Sequence, residues 1–562
     1  MATNLLSQAH GFVQTPNKVN FVRSFLIAAL LFGAWNVTVV NVYAAEVSVT
    51  VGDITIDPSH YRDTPIAGLH NDFELVTGTA VVENGIVVVT APSNKFHQVG
   101  NPKPVRYVGN TKYTFLAATD GINNDPESVL QVEFAPNSNI ALFGFLAEAD
   151  DEKYWLRVTR NYLYERFSDT DNQRIIGHYV DQLGNDPNPL GDFFQVLGKL
   201  DKLNSDANIG DQWSDLARRQ GSISSGAKRA LDQMSGSIHG TQTTVSFMNA
   251  TVVNNMLFDV LRRNALQSGD GFQRDIWGYG YGYGGTTLND GNAARYSQGF
   301  GGLLVGSDQR YDGRIRSGCF FSCGWGEVNS RLDEKSKSTE LLGGVYLRRE
   351  NNNGEDSYLG CQSGYYQFEL GVGTNAYKVD RSIDFMNLHA KSKYDAFVWT
   401  VNAERGFDYK GVAGTLQPFI GLQYIGMNRN HFKERGANSL NLSSGTADEH
   451  SFRSKLGARW SHDFDSISVS CNAAWMHECL RPYSNVAARF SQFSDPSAPD
   501  KDNFSSPSQY TVRGNDPGRE WAVVGVGVNH DQGQWRLFGG YDAFIGVRQT
   551  LHVGNIGFAY GW

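Results

Sequence analysis

Cysteine is nearly absent from the sequence. Only Cys319, Cys323, Cys361, Cys471 and Cys479 occur in 562 residues, all in the C-terminal half. An odd, sparse set without a C-x-x-C pair excludes a disulfide framework and argues against a zinc site. Proline is scarce, with 16 residues. No basic excess exists: 49 Lys and Arg stand against 58 Asp and Glu, for a net charge of -9. That balance lacks the positive field that nucleic-acid binding requires. Long apolar runs are missing beyond the N-terminal segment, and mean hydropathy is -0.38. A bundle of membrane helices, each needing about 20 apolar residues, is therefore excluded. What is abundant is glycine, 61 residues or about 11% against an average near 7%, and aromatics at 12%. Such a composition suits many long strands and excludes a disordered chain.

The first 45 residues contain no Asp or Glu. Lys18 and Arg23 precede an apolar stretch from Phe25 through Ala34, and Val42-Tyr43-Ala44 supplies small residues for cleavage. This is the order of a secretory signal peptide over residues 1–44, with Ala45 as the first residue of the exported chain. Asn36 and Thr38 interrupt the apolar run, against a retained spanning helix.

Residues 45–153 read as short strands separated by Gly, Asn, Asp and Pro. Glu46 to Val51, Gly78 to Glu83 and Gly85 to Thr90 alternate or run β-branched. Tyr107 to Ala117 has the look of one coil of a parallel β-helix. From about Tyr154 the pattern turns helical, giving a linker over 154–240 and a further helix over 241–265. The stretch from Thr241 to Arg263 has no proline and would span roughly 34 Å, about a bilayer's thickness. Asn249, Asn254, Asn255, Asp259, Arg262 and Arg263 make it too polar to face lipid. A polar helix of that length fits inside a wet pore.

Residues 275–562 read as strand after strand. Trp277, Tyr279, Tyr281 and Tyr283 alternate with Gly278, Gly280, Gly282 and Gly284. Period two puts the aromatics on one face and the glycines on the other. The expectation is that the glycines face inward and leave room for the helix. Ile467 to Trp475, Trp521 to Val528 and Trp535 to Ile545 alternate in the same way. Arg453, Lys455 and Arg459 share a face opposite Leu456, Ala458 and Trp460. About twelve such strands, at about 24 residues each with its connection, match the dyad pattern of a transmembrane β-barrel. The fold class is thus mainly β: a twelve-stranded antiparallel transmembrane barrel with a pore helix, preceded by a short β-helix-like region and a helical linker. The closing strand carries Phe558, Tyr560 and Trp562 on one face, an aromatic ending that an assembly machinery could recognise.

These residues resemble the autotransporters of the type V secretion pathway. Ile276 to Gly282 looks like the first strand of their C-terminal β-domain, Gly301 to Asp308 like the second, and Leu416 to Tyr424 and Trp475 to Glu478 like two later motifs. Ala230 to Gly236 resembles the segment ahead of the pore helix, and Phe558, Tyr560 and Trp562 the assembly signal, although most members end in Phe. The resemblance implies a monomeric barrel in outer-membrane lipid. It also implies export through the general secretion translocon, insertion by the barrel-assembly machinery and an N-terminal passenger at the cell surface. In some members the chain cuts itself between two pore-helix asparagines, and Val253-Asn254-Asn255-Met256 resembles that site. The Asn254 amide would close on its own carbonyl as a succinimide, given a nearby acid or base. The alternative, that Asn254 and Asn255 only satisfy polar groups in a wet channel, is preferred.

No Gly-x-Ser-x-Gly motif occurs, His477-Glu478 lacks a second histidine, and Asp169-x-Asp171 lacks the rest of a calcium loop. The expectation is therefore a passenger that is adhesive or structural, without enzymatic activity, metal or cofactor. Two other readings remain: a channel barrel with a periplasmic N-terminal region, and an exported hydrolase without a recognised motif.

Overall fold

A computed structural model describes the backbone of short strands between 54 and 160, and residues 163–184, 193–206, 225–263, 273–311, 314–352, 363–490 and 509–562. The proposed signal peptide lies outside the described residues. The chain divides into two compact units, one of residues 1–167 and 177–227, the other of 168–176 and 228–562.

In the first unit, strand pairing follows a three-strand period. Ile54–Ile56, Gly85–Val89 and Leu130–Phe134 form one parallel sheet. Glu74–Val76 pairs parallel with Thr111–Ala118, and Ala80–Val82 with Ile122–Asn124. Three strands per coil, each stacking on its successor, is the β-helix arrangement expected from the sequence. Phe143–Ala149 and Lys153–Arg160 then pair antiparallel. Lys153–Arg160 departs from the helical reading of that segment: Tyr154, Trp155, Val158 and Thr159 carry strand propensity. Helices follow at Leu163–Arg166, Asp171–Gly184 and Phe193–Asp206.

The second unit holds a closed antiparallel barrel of twelve strands. They are β1 (Gln273–Thr287), β2 (Tyr296–Tyr311), β3 (Ile315–Ser330), β4 (Lys335–Asn352), β5 (Ser363–Ile383) and β6 (Leu388–Gly411), then β7 (Gly414–Arg429), β8 (Ala447–Phe464), β9 (Ile467–Glu478), β10 (Glu520–Gln532), β11 (Trp535–Gly546) and β12 (Gln549–Gly561). Closure runs from Asp275↔Gly561 to Thr287↔Gln549, and Arg274 and Trp562 exchange backbone hydrogen bonds of 3.0 and 2.9 Å beyond it. A closed cylinder leaves no unpaired edge, the condition for β-structure in hydrocarbon. Among the described residues no helix is long and apolar enough to cross a membrane.

The barrel has two distinct ends. At the terminal end lie the start of β1, the finish of β12, and turns such as Asp465–Ser466. At the loop end lie the turns Arg331–Glu334 and Asp384–Asn387 and a four-stranded sheet made from two longer connections. Phe432–Lys433, Leu442–Ser444, Asn485–Phe490 and Tyr510–Arg513 form that sheet in chain order. Outward positions carry the apolar side chains, for example Val524, Val526 and Val528 on β10 and Leu537 and Ile545 on β11.

Candidate functional site in the barrel lumen

The lumen is filled by one helix, Ser237–Arg263, slightly earlier than the sequence suggests. Its 27 residues span about 40 Å. A shorter helix, Ser225–Ser235, precedes it, and Gly236 at φ +73° makes the break. That left-handed conformation favours glycine. Four residues on, a Cβ at Gly240 would sit 2.7 Å from the Ser484 carbonyl oxygen and 2.8 Å from the Gly514 nitrogen. Only glycine lets the helix pass so close beneath the loop strands.

The helix is buried on almost every side, as a plug must be. Met248, Val252, Val253, Met256, Leu257 and Leu261 pack in one cluster with Trp277, Tyr279, Tyr281 and Tyr283 of β1. Those four aromatics are 1%, 2%, 7% and 5% exposed. This corrects the sequence expectation for the first strand: the aromatics face the lumen and the glycines face outward. The physical reason is the helix itself, which gives the rings a dry partner where an open pore would have offered water. Gly278 accordingly meets the outward side chains of Phe558 and Val305. Arg453, Lys455 and Arg459 share one face, as expected, and the structure turns that face inward.

Polar contacts fasten the helix at three levels. At the loop end the buried His239 ring contacts the Tyr394 hydroxyl at 3.1 Å and Glu434 at 3.0 Å, and stacks on Phe432 at 4.0 Å. Glu434 in turn pairs with Arg381 at 2.6 Å and accepts the Leu442 N–H at 2.8 Å. Arg381 also donates to the Gln233 carbonyl at 2.5 Å, tying in the shorter helix before the break. Backbone N–H groups of Ser484 and Asn515 donate to Thr244 and Thr241 at 3.3 and 3.0 Å. At mid-height, Glu340 accepts from Ser246 at 3.0 Å and Asn249 at 2.6 Å, while Tyr377 donates to Ser246 at 2.9 Å. Tyr283 donates to Asn249 and Arg453 to Thr251. At the terminal end, Arg262 and Arg459 share Glu404 at 3.2 and 3.0 Å, with Tyr365 and Gln367 also donating to it at 2.9 Å.

The carboxyls at the loop end differ in their protonation. Burial alone would raise Glu434, but the Arg381 charge and the His239 and Arg381 hydrogen bonds outweigh it and hold the group at about 2. Burial pushes Glu334 up to about 8, and one of its oxygens has no hydrogen-bond partner. Burial likewise raises Asp232 to about 6, against a 3.0 Å hydrogen bond from Gln173. Asp384 also feels burial, yet hydrogen bonds from Ser382, Arg229 and Gln233 leave it below the ordinary value.

Asn254 and Asn255 lie on the lumen helix as expected. Asn254 is 1% exposed and, among the described residues, neither side-chain polar atom has a hydrogen-bond partner, so none of those residues supplies an acid or base to the amide. Asn255 accepts from Lys455. A cavity of about 40 Å³ beside Asn255, lined by Asp259, Glu404, Lys455 and Asp542, has room for about one water. Phe558, Tyr560 and Trp562 lie on the outward face of β12, with Phe558 47% and Trp562 54% exposed. Asp169 pairs with Lys228 at 2.6 Å. Glu478 is buried against Arg453 at 3.0 Å, whereas His477 pairs with Glu520 at 2.6 Å. Sequence reasoning missed Arg381, Glu434, Glu340 and Glu404. For Arg381, Glu340 and Glu404 the signal was an ionisable residue at a strand position whose parity points inward; Glu434 lies in the β7–β8 connection, where parity says nothing.

Residues 276–542 match the family model described as Autotransporter beta-domain. No curated protein matches the chain. Among solved structures, the translocator domain of autotransporter NalP from Neisseria meningitidis is similar at 14% identity, covering 57% of this chain and 96% of that one, with a TM-score of 0.43. The transport unit of the autotransporter AIDA-I from Escherichia coli gives 15%, 52%, 91% and 0.34, and the beta domain of the Bordetella autotransporter BrkA 14%, 51%, 98% and 0.36.

Proposed function

We propose, from the match of residues 276–542 to the Autotransporter beta-domain model, that the chain anchors itself in the outer membrane by an autotransporter β-domain and displays its N-terminal region on the cell surface. The observation that carries this reading is the direction of the lumen helix. Its N-terminal His239 meets loop-end residues, and its C-terminal Arg262 meets Glu404 near the terminal end. The chain upstream of the helix therefore leaves the barrel at the loop end, opposite the barrel's own termini. With the termini facing the periplasm, everything before the helix is delivered outside. The leader engages the secretion translocon, and the outward Phe558, Tyr560 and Trp562 present the strand that the barrel-assembly machinery reads. The delivered region is an adhesive or structural passenger. The paired asparagines are a polar element of the plug, and the chain stays in one piece.

Protease treatment of intact cells tests this. Release of fragments from residues 45–224, with the barrel retained in the membrane fraction, is the expected result. Fragments seen only after the outer membrane is opened would support a periplasmic N-terminal region instead.

A further inference from the structure

The outward face of β4 to β6 near the loop end carries a row of three lysines that make no ion pair among the described residues. Lys337 on β4 stands directly opposite Lys378 on β5, and Lys378 directly opposite Lys393 on β6. All three are exposed, and none makes an ion pair within 4.0 Å among the described residues. Like charges placed opposite one another across strands destabilise a sheet. Two acids beside the row, Glu327 and Asp395, also line the depression and offset part of its charge, but neither pairs with a lysine among the described residues, and three lysines stand against two carboxylates. Glu327, opposite Lys337 on β3, accepts a hydrogen bond from Asn329 at 3.2 Å, and Asp395 lies one outward row lower. Lys378 sits in the middle, with a lysine on either side. The next row toward the loops, Lys335, Asp380 and Lys391, is balanced instead: Asp380 bonds Lys391 at 3.5 Å and His389 at 2.9 Å.

The row borders a depression of about 800 Å³ beside Trp325, whose floor is kept low by Gly299, Gly301 and Ala376. Successive outward rows lie about 7 Å apart along a strand. One row below the lysines stand Trp325, Thr339 and Ala376, and the row after that brings Leu341 and Phe397, where the continuous apolar band begins. The lysines thus stand at the height where a lipid changes from headgroup to acyl chain, with an interfacial tryptophan one row closer to the apolar band. At the opposite end, the outward Arg405 is already engaged, 4.7 Å above the Tyr366 ring and 4.9 Å from Phe407.

We propose that this depression is a binding site for a phosphorylated lipid of the membrane's outer leaflet, its phosphates bridging Lys337, Lys378 and Lys393 and its acyl chains running down the apolar face beneath Trp325. Charge complementarity selects an anion, and continuity with the lipid-facing band selects a lipid over a soluble phosphate. The choice of leaflet rests on the orientation given above; the site's chemistry does not.

The test uses the full chain purified in detergent, with bis-phosphorylated lipid A, the same lipid stripped of its phosphates, and inorganic phosphate as probes. Binding is read by native mass spectrometry. Each lysine near a charged interface contributes about fivefold, so the variant K337Q/K378Q/K393Q is expected to bind bis-phosphorylated lipid A on the order of a hundredfold more weakly. K378Q alone should lose about fivefold. K433Q, on the loop sheet, should bind as the parent does. Equal binding by parent and triple variant, equal binding of the dephosphorylated lipid, or displacement by millimolar inorganic phosphate would each overturn the proposal. Should the triple variant not reach the compact barrel form, K378Q and the dephosphorylated lipid decide the question. Binding is measured on isolated protein, so a failure of surface display leaves the result standing, and a failure to bind leaves display untouched.

Discussion

At the residue scale, the loop-end cluster of His239, Arg381 and Glu434 sets how firmly the plug is held. Both members of the Arg381–Glu434 pair are fully buried. Removing one leaves the other as an uncompensated charge, a loss of about 3–5 kcal/mol. R381A is therefore expected to lower the thermal unfolding midpoint of the purified protein, and R381M combined with E434L to restore much of it, since replacing both buried charges avoids the orphan. A pH effect follows from the same region. Glu434, held at about 2, contributes stability that is fully present above its unfolded value near 4.5 and is lost progressively as pH falls from there through about 2. Glu334 has the opposite sign. Its folded value of about 8 exceeds the unfolded value, so its cost grows as pH rises from about 4.5 to 8. E334Q is expected to stabilise the protein at pH 9 and to change nothing at pH 4. A gain of equal size at both pH values would contradict the account of this carboxyl.

At the element scale, the first strand tests which face is in. Tyr281 packs in the lumen cluster, while a Cβ on Gly280 would find only Leu303 Cδ2 at 4.0 Å. Y281A is expected to cost about 3–5 kcal/mol and G280A less than about 1 kcal/mol, read from denaturant unfolding in detergent. If the glycines lined the lumen, the order would reverse. Here the limit of the sequence is plain. Alternation of Trp277, Tyr279, Tyr281 and Tyr283 with glycine shows two faces, but which face turns inward depends on what fills the lumen. On β9 the polar or small face, with Ser468, Ser470, Asn472 and Ala474, is inward, and the same reading succeeds. The helix was legible as a proline-free polar run of membrane length. Its early start at Ser237 was not, because it depends on Gly236 and on loop residues some 200 positions later. Gly240 belongs to that group too: G240V would press on Ser484 and Gly514, and is expected to cost about 1–3 kcal/mol and open the loop strands to proteolysis.

At the scale of the whole molecule, two cavities beside the helix among the described residues are small, about 20 and 40 Å³. A barrel so filled is expected to pass little ion current in a planar bilayer, and deletion of residues 225–263 to raise its conductance severalfold or more. The twelve-strand count and the antiparallel order could be read from periodicity, because each strand repeats the same two-sided demand. The fastening levels could not. Glu340, Glu404 and Glu434 meet partners about 90 to 200 residues away with no local motif.

The account turns on where the chain before the helix ends up. In a variant whose five native cysteines are replaced by serine, S225C and S466C place one thiol upstream of the helix and one in a terminal-end turn. A membrane-impermeant maleimide added to intact cells should label S225C and leave S466C untouched until the outer membrane is permeabilised. Labelling of S466C from outside, with S225C protected, would contradict it.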